Sequence, residues 1–162
     1  DTQNSEMWYP RFRFAEALLI AAEAAYELGG TNKVKAVEYI NRVRARGGIK
    51  ELTESTITFE HIVNEYRVEF AFEDHRWWDL RRWRLAHTVW NGVIDSPTAQ
   101  MYSLFPYKVY APGSPYDGKW AFEKSRSYMA PNARNFTMRC YYGSIDDGWI
   151  NKNPKLVKNP LQ

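Results

Sequence analysis

With 162 residues, 44% of them hydrophobic and 25% charged, the chain is long enough for one domain around a real core. A formal charge of +3 sets up no strong field for nucleic acid or a membrane surface, a single cysteine (Cys140) excludes an internal disulfide, and no apolar run approaches the roughly 18 residues of a membrane span. Aromatic residues make up 16% of the chain, with seven Trp and eleven Tyr, which is more than a plain core needs and leaves rings to face a ligand.

The opening, DTQNSEMWYPRFRF, carries no signal peptide, enters structure almost at once and reads as a cut rather than a natural beginning. A first helix is expected from about Arg11 to Leu28, with Pro10 near its start, where a missing amide costs nothing. Phe14, Leu18, Ala22 and Tyr26, flanked by Ala15 and Leu19, form its apolar stripe. Gly29-Gly30 ends it. Thr31 or Asn32 is placed to cap a second helix that carries Val34, Val37, Ile40 and Val43 and stops at Gly47-Gly48. Alanines on both helices, Ala22, Ala25 and Ala36 among them, allow close approach, and the short glycine turn makes an antiparallel hairpin. Tyr26, Gly30, Ala36, Tyr39 and Ile40 resemble the small and aromatic positions of a tetratricopeptide unit. One such unit cannot bury its own faces and needs neighbours.

A second helical hairpin follows. Its first helix starts near Thr58 or Phe59 and reaches about Glu73, with Ile62, Val63, Tyr66 and Phe70 on the inner face. Glu65, Glu69 and Glu73 form a negative stripe on another face. Asp74 and His75 mark a break, since Asp tolerates a left-handed backbone. A fourth helix is expected from about Arg76 to Val93. The run EDHRWWDLRRWR is either a gripping surface or the inside of a fold. From Glu60 to Arg84, five arginines stand against six acids, so the segment lacks the surplus positive charge that a nucleic-acid site requires. The glutamate stripe is expected to meet the arginines of helix four across the turn, and Asp79 reaches Arg82 three residues on. Trp77 and Trp78 point about 100° apart, so at least one is expected to face the core. A packing joint stitched by ion pairs is the favoured reading, with a ligand surface as the alternative.

The segments RFAEALLIAAEAAYELGG, AVEYINRVRARGG and EYRVEFAFEDHRWWDLRRW, in this order, resemble the C-terminal part of the SusD/RagB family. The third is the most specific. Glu65, Arg67, Glu69, Ala71, Phe72, Glu73, Arg76, Trp77, Asp79, Leu80, Arg81, Arg82 and Trp83 fit its pattern, while Tyr66 replaces an arginine, Phe70 a leucine and Asp74 a glycine. The tail INKNPKLVKNP is similar to the family's closing motif through Ile150, Asn153, Pro154, Leu156, Asn159 and Pro160. Just before it, Ser144-Ile145-Asp146 and Trp149 depart from the family's usual Pro-Ile-Pro and Glu. Residues 95–140 match no family motif.

The resemblance implies a mainly α fold, with tetratricopeptide-like helical hairpins followed by long irregular, aromatic-rich loops. Residues 1–162 would be a single domain or fragment, a hairpin scaffold at about 11–94 and a loop-rich part with the closing tail at about 95–162. It also implies a non-catalytic outer-membrane lipoprotein of Bacteroidota. Such a protein binds oligosaccharide or another nutrient at the cell surface and delivers it to a SusC-like TonB-dependent transporter. The lipid anchor would belong to a missing N-terminal part of the same protein, and Cys140 is not that anchor. In the family the matched residues Glu65, Glu69, Glu73, Arg76, Trp77, Asp79, Arg81, Arg82 and Trp83 belong to the scaffold, not to the binding site.

A site is therefore sought in the second half. From Asp95 to Ala133, prolines and glycines interleave with Tyr102, Phe105, Tyr107, Tyr110, Tyr116, Trp120, Phe122 and Tyr128, and so long a loop is often functional. Sugars lay flat C–H faces on aromatic rings and give their hydroxyls to carboxylates, amides and guanidinium groups. The stretch YAPGSPYDGKW supplies the glycan-binding candidates Tyr116, Trp120, Tyr110 and Asp117, with Lys119 beside them. Tyr116 and Trp120 are expected to be exposed, because glycine and proline flank them. In the competing reading these rings pin a long loop to the helices.

Catalysis finds no support. His61, His75 and His87 form no H-E-x-x-H pattern and have no cysteine motif beside them, so no metal site and no cofactor is expected. No G-x-S-x-G elbow is present. Asp146-Asp147 supply two acids, as glycoside hydrolysis requires, but adjacent residues in a glycine-containing loop read as a solvated turn. Two classes remain: a glycan-binding module, or a tetratricopeptide-like protein-interaction scaffold with no glycan site of its own. Exposed rings over Tyr102–Tyr128 favour the first. A groove lined by side chains such as Asn41 and Arg44 favours the second.

Overall fold

The computed structural model describes residues 11–126 and 130–161; Pro10 and Tyr128 lie outside the described residues. The chain is mainly α and divides into two compact units, Asp1–Asp79 and Leu80–Gln162.

In the first unit, α1 (Phe14–Leu28) packs on α2 (Lys33–Arg46) and on α3 (Phe59–Glu69). α1 starts at Phe14 rather than Arg11 and ends where Gly29 takes φ +65° and donates its amide to the Tyr26 carbonyl at 3.0 Å. A single 3-10 turn, Gly30–Asn32, reverses the chain. Asn32 stands at the start of α2, but its side chain makes no capping bond, so the turn itself launches the helix. Ala22, Ala25 and Ala36 are buried and let the helices close up. Leu19, Ile40 and Ile62 are wholly shut from water, each contributing roughly 1.5–3 kcal/mol by burial. The stripes are shorter than their periodicity predicts. Phe14 and Val34 stand in the first turns of their helices and are exposed, with the Arg42 guanidinium 5.3 Å above the Phe14 ring.

Between α2 and α3 the chain is tied down by side chains. Asn41 donates to the Leu52 carbonyl at 2.8 Å and accepts the Leu52 amide at 2.9 Å, which seats Leu52 in the core. Thr58 opens α3 with a reciprocal cap in which His61 takes the place usually held by an acid. α3 stops at Glu69, short of the expected Glu73. The turn that follows uses left-handed backbone at Phe72 (φ +68°) and Asp74 (φ +60°). α4 (His75–Arg82) is also shorter than expected. Arg84 takes φ +59°, the chain breaks, and α5 (Ala86–Val89) resumes after it, so no continuous helix reaches Val93. Neither tryptophan of α4 faces a core: Trp77 is 43% and Trp78 64% exposed, because the helix turns Asp79 and Leu80 inward instead.

The boundary between the units falls inside α4. The second unit is built on Leu80, Ala86, Trp90, Phe136 and Tyr141, with Leu85, Val89 and Tyr142 packed against them. Phe136 and Tyr141 meet edge to face at 4.8 Å. An isolated bridge joins Asn91 to Asn135. Beside it, Gly92 takes φ +75°, and a Cβ there would lie 3.0 Å from the Asn135 side chain, so any other residue would be strained and would crowd Asn135.

The expected irregular loop is in part an antiparallel ribbon. β1 (Tyr102–Lys108) pairs with β2 (Trp120–Arg126) over their whole length. Pro106 is tolerated because the sheet has only these two strands, which leaves an outer edge where no amide is needed. The closing tail holds α6 (Asp147–Lys152), capped by Asp146, whose carboxylate accepts the Gly148 amide at 2.9 Å. Asp147 pairs with Lys158 at 2.8 Å. The two asparagines of the closing motif act differently: Asn153 forms a local turn by accepting the Lys155 amide at 3.1 Å, and Asn159 ties the tail back by donating to the Gly143 carbonyl.

Candidate functional site

Two regions concentrate chemistry-bearing side chains. The first is the glutamate stripe of α3. Its partners are not the arginines of α4, as expected, but arginines at the ends of α1 and α2, because α3 packs on α1 and the long side chains at the end of α2 reach across to it. Glu65 meets Arg44 at 2.7 Å, and Glu69 meets both Arg13 and Arg46 at 2.5 Å. Glu73 takes a two-pronged contact from Arg13 at 2.8 and 2.9 Å. The same guanidinium lies 4.7 Å over the Phe70 ring. The Glu73 hydrogen bond, reinforced by Glu69, holds the Arg13 pKa above its ordinary value against the cost of desolvation.

Further along the motif, Arg81 donates to the Tyr141 carbonyl at 3.1 Å, and Arg82 lies 4.3 Å over the Trp83 ring. Arg76 and Trp83 are half-buried, and Asp79 is buried. The three histidines are in structural use. His61 completes the α3 cap, His75 stacks on Phe70 at 4.3 Å, and His87 shares a 2.8 Å hydrogen bond with the Tyr141 hydroxyl.

The second region is the β1–β2 ribbon and its connection. The ladder continues past the strands, with the Val109 amide donating to Lys119 and the Gly118 amide donating to Val109, both at 2.9 Å. Beyond that, the chain folds back on itself. The Asp117 carboxylate accepts the Ala111 amide at 2.8 Å, and the Ser114 hydroxyl accepts the Tyr116 amide at 3.2 Å. One carboxylate oxygen of the candidate Asp117 is thus committed to shaping the loop.

The candidate rings are open to water: Tyr110 is 88%, Tyr116 65% and Trp120 64% exposed. Among the described residues none of the three touches another aromatic ring. They are displayed along the ribbon and its tip rather than gathered into one cage.

At the base of the ribbon, the Tyr102 hydroxyl donates to Asp95 at 2.5 Å, and Arg126 pairs with the same carboxylate at 3.3 Å. The Tyr102 hydrogen bond is the main cause of a lowered Asp95 pKa, and the same bond raises that of Tyr102.

A protein of this layout has relatives. The family model described as the SusD family matches residues 1–161. The chain belongs to the SusD family. SusD-like protein P2 of Formosa agariphila is 36% identical over 107 residues, covering 59% of this chain and 21% of that protein. Starch-binding protein SusD of Bacteroides thetaiotaomicron is 33% identical over 107 residues, covering 62% of this chain and 18% of that protein. Among solved structures, surface glycan-binding protein A from Bacteroides uniformis superposes with a TM-score of 0.52 at 26% identity, over 93% of this chain and 27% of its own. This SusD-family chain thus spans about a fifth of the length of the curated relatives it matches.

Reasoning from sequence overlooked the strand residues of the ribbon as candidates. Leu104 and Phe122 are exposed on the side of the ribbon that carries Trp120, and Phe105 and Tyr107 are exposed on the other. Their signal was weak: two short runs rich in aromatic residues, without strict alternation, on either side of a segment containing Asp117-Gly118. The length of the intervening loop hid it.

Proposed function

We propose that this SusD-family chain is part of a non-catalytic cell-surface receptor. It binds oligosaccharide or another nutrient and passes it to a SusC-like TonB-dependent transporter, as a lipoprotein on the outer membrane. The observation that carries this reading is the ribbon, which presents Tyr110, Tyr116, Trp120 and Phe122 to solvent. Unligated rings held on an ordered backbone suit the flat faces of sugars, and they cost little further ordering on binding. Membership of the SusD family supports it, as do relatives named as starch-binding and surface glycan-binding proteins. The protein-interaction alternative loses the residues it needs. Asn41 is spent on Leu52, and Arg44 on Lys50 and Glu65.

The test is binding of the chain to a panel of oligosaccharides beside a Tyr116→Ala/Trp120→Ala variant, with thermal melting as control. Loss of binding at unchanged melting temperature supports the ribbon as the site. Binding by both proteins alike removes the ribbon from the proposal, and a folded chain that binds nothing on the panel returns the reading to scaffold.

A further inference from the structure

We propose that the Trp120 side of the ribbon selects sugars carrying an anionic substituent, a carboxylate or a sulfate. This rests on the glycan-binding reading and names its substrate class. Residues directly opposite in an antiparallel pair project to the same side, and successive residues to opposite sides. Trp120 is opposite Lys108, Phe122 opposite Pro106, Leu104 opposite Lys124, and Tyr102 opposite Arg126. All of these therefore share one side. The one acid in either strand, Glu123, is opposite Phe105 and belongs to the other side.

The ribbon thus separates its charges, and the side with the indole is the cationic one. Arg126 is already matched by Asp95. Lys108 and Lys124 form no ion pair among the described residues, and Lys124 acts on Asp95 only at longer range, behind Tyr102 and Arg126. Asp117, at the tip, has one oxygen turned into its own loop.

Each ammonium also stands by a ring. Lys108 is the cross-strand neighbour of Trp120, the Lys124 ammonium lies 3.8 Å from the centre of the Tyr102 ring, and Lys119 reaches within 5.6 Å of that of Tyr116. A ring that accepts the C–H face of a pyranose, with an ammonium a few ångströms away, is matched by a sugar bearing both an apolar face and a negative group. Neutral sugars leave the lysines unused. Lysines also protect an exposed ribbon from edge pairing, a role that would make them indifferent to the charge of the sugar, so the experiment turns on that difference.

Matched pairs isolate the charge: polygalacturonate against its methyl ester, and carrageenan against its desulfated form. Binding of the full chain is measured by calorimetry at low and moderate salt. The expected result is at least about fivefold tighter binding of the anionic member in one pair, in line with a few tenths to one kcal/mol per exposed charge contact. The pair that responds distinguishes carboxylate from sulfate. A Lys108→Gln/Lys124→Gln variant abolishes the preference while retaining the neutral member, and its melting temperature matches the parent. Added salt erodes the preference in the parent.

Equal binding of both members in both pairs overturns the proposal while leaving glycan binding intact, as does a preference that survives the lysine substitutions. Binding of no glycan, neutral or anionic, overturns the underlying reading and this one with it.

Discussion

Arg44 and Glu65 meet at 2.7 Å with only 13% and 5% of their side chains open to water. Arg44 also donates to the Lys50 carbonyl, so the pair joins the end of α2, the following loop and α3 in one contact. Removing one partner strands the other charge where water reaches it poorly. Glu65→Ala is expected to lower the unfolding free energy by about 3 kcal/mol. Replacing both partners with apolar residues, Arg44→Met with Glu65→Leu, is expected to recover much of that loss. Urea unfolding of the three proteins measures it, and a single-variant loss under about 0.5 kcal/mol would place the pair among solvated surface contacts.

The base of the ribbon is expected to respond to acid. Hydrogen bonding from Tyr102, then the charge of Arg126, lowers the Asp95 pKa from its ordinary 3.8. A lowered carboxylate stabilises the folded form above that ordinary value, and the contribution is lost as pH falls through the lower, folded one. The Tyr102 pKa is raised from 10.0 chiefly by the same bond, so its contribution holds below that value and is lost as pH climbs through the higher, folded one. Hydrogen exchange at the strand amides, read against pH, is expected to show protection across this window and loss on its acid side. Asp95→Asn removes the carboxylate and flattens the acid limb. An unchanged acid limb in that variant would assign the effect to another group.

Cys140 is exposed, and its thiol pKa is lowered from 9.0, first by the Thr137 hydroxyl at 3.4 Å and then by the Thr137 backbone. Thiolate is the reactive form. Alkylation of Cys140 by iodoacetamide is therefore expected to titrate below a free cysteine, and Thr137→Val to move the midpoint up. A midpoint indifferent to that substitution would contradict the role of the hydroxyl.

For the exposed rings the expected magnitude is modest. A stacked ring contributes about 0.5–1.5 kcal/mol, so the Tyr116→Ala/Trp120→Ala variant is expected to weaken oligosaccharide binding by about thirtyfold. Single variants place each ring. One that leaves affinity unchanged by calorimetry removes its residue from the contact surface.

The helical half of the chain was legible from its residues. Gly29 stops α1, Thr58 starts α3, Asp74 bends the chain, and the buried alanines bring two helices together. All of these act within a few residues of where they stand, and the family pattern in residues 65–83 and the closing tail is equally local. What lies across the fold was not legible. Glu65, Glu69 and Glu73 share a helical face by spacing alone, but only the packing of α3 on α1, within reach of the long side chains at the end of α2, chose Arg44, Arg46 and Arg13 as partners over the nearer arginines of α4. Trp77 and Trp78 stay exposed because α4 buried its other side. The ribbon turned a stretch of rings into two ordered sides, and its register placed Lys108 and Lys124 with Trp120 and sent Glu123 away. Capping, turn and helix propensities are short-range and are written in neighbouring residues. Partner choice across dozens of residues depends on which surfaces meet, and only the tertiary structure settles that.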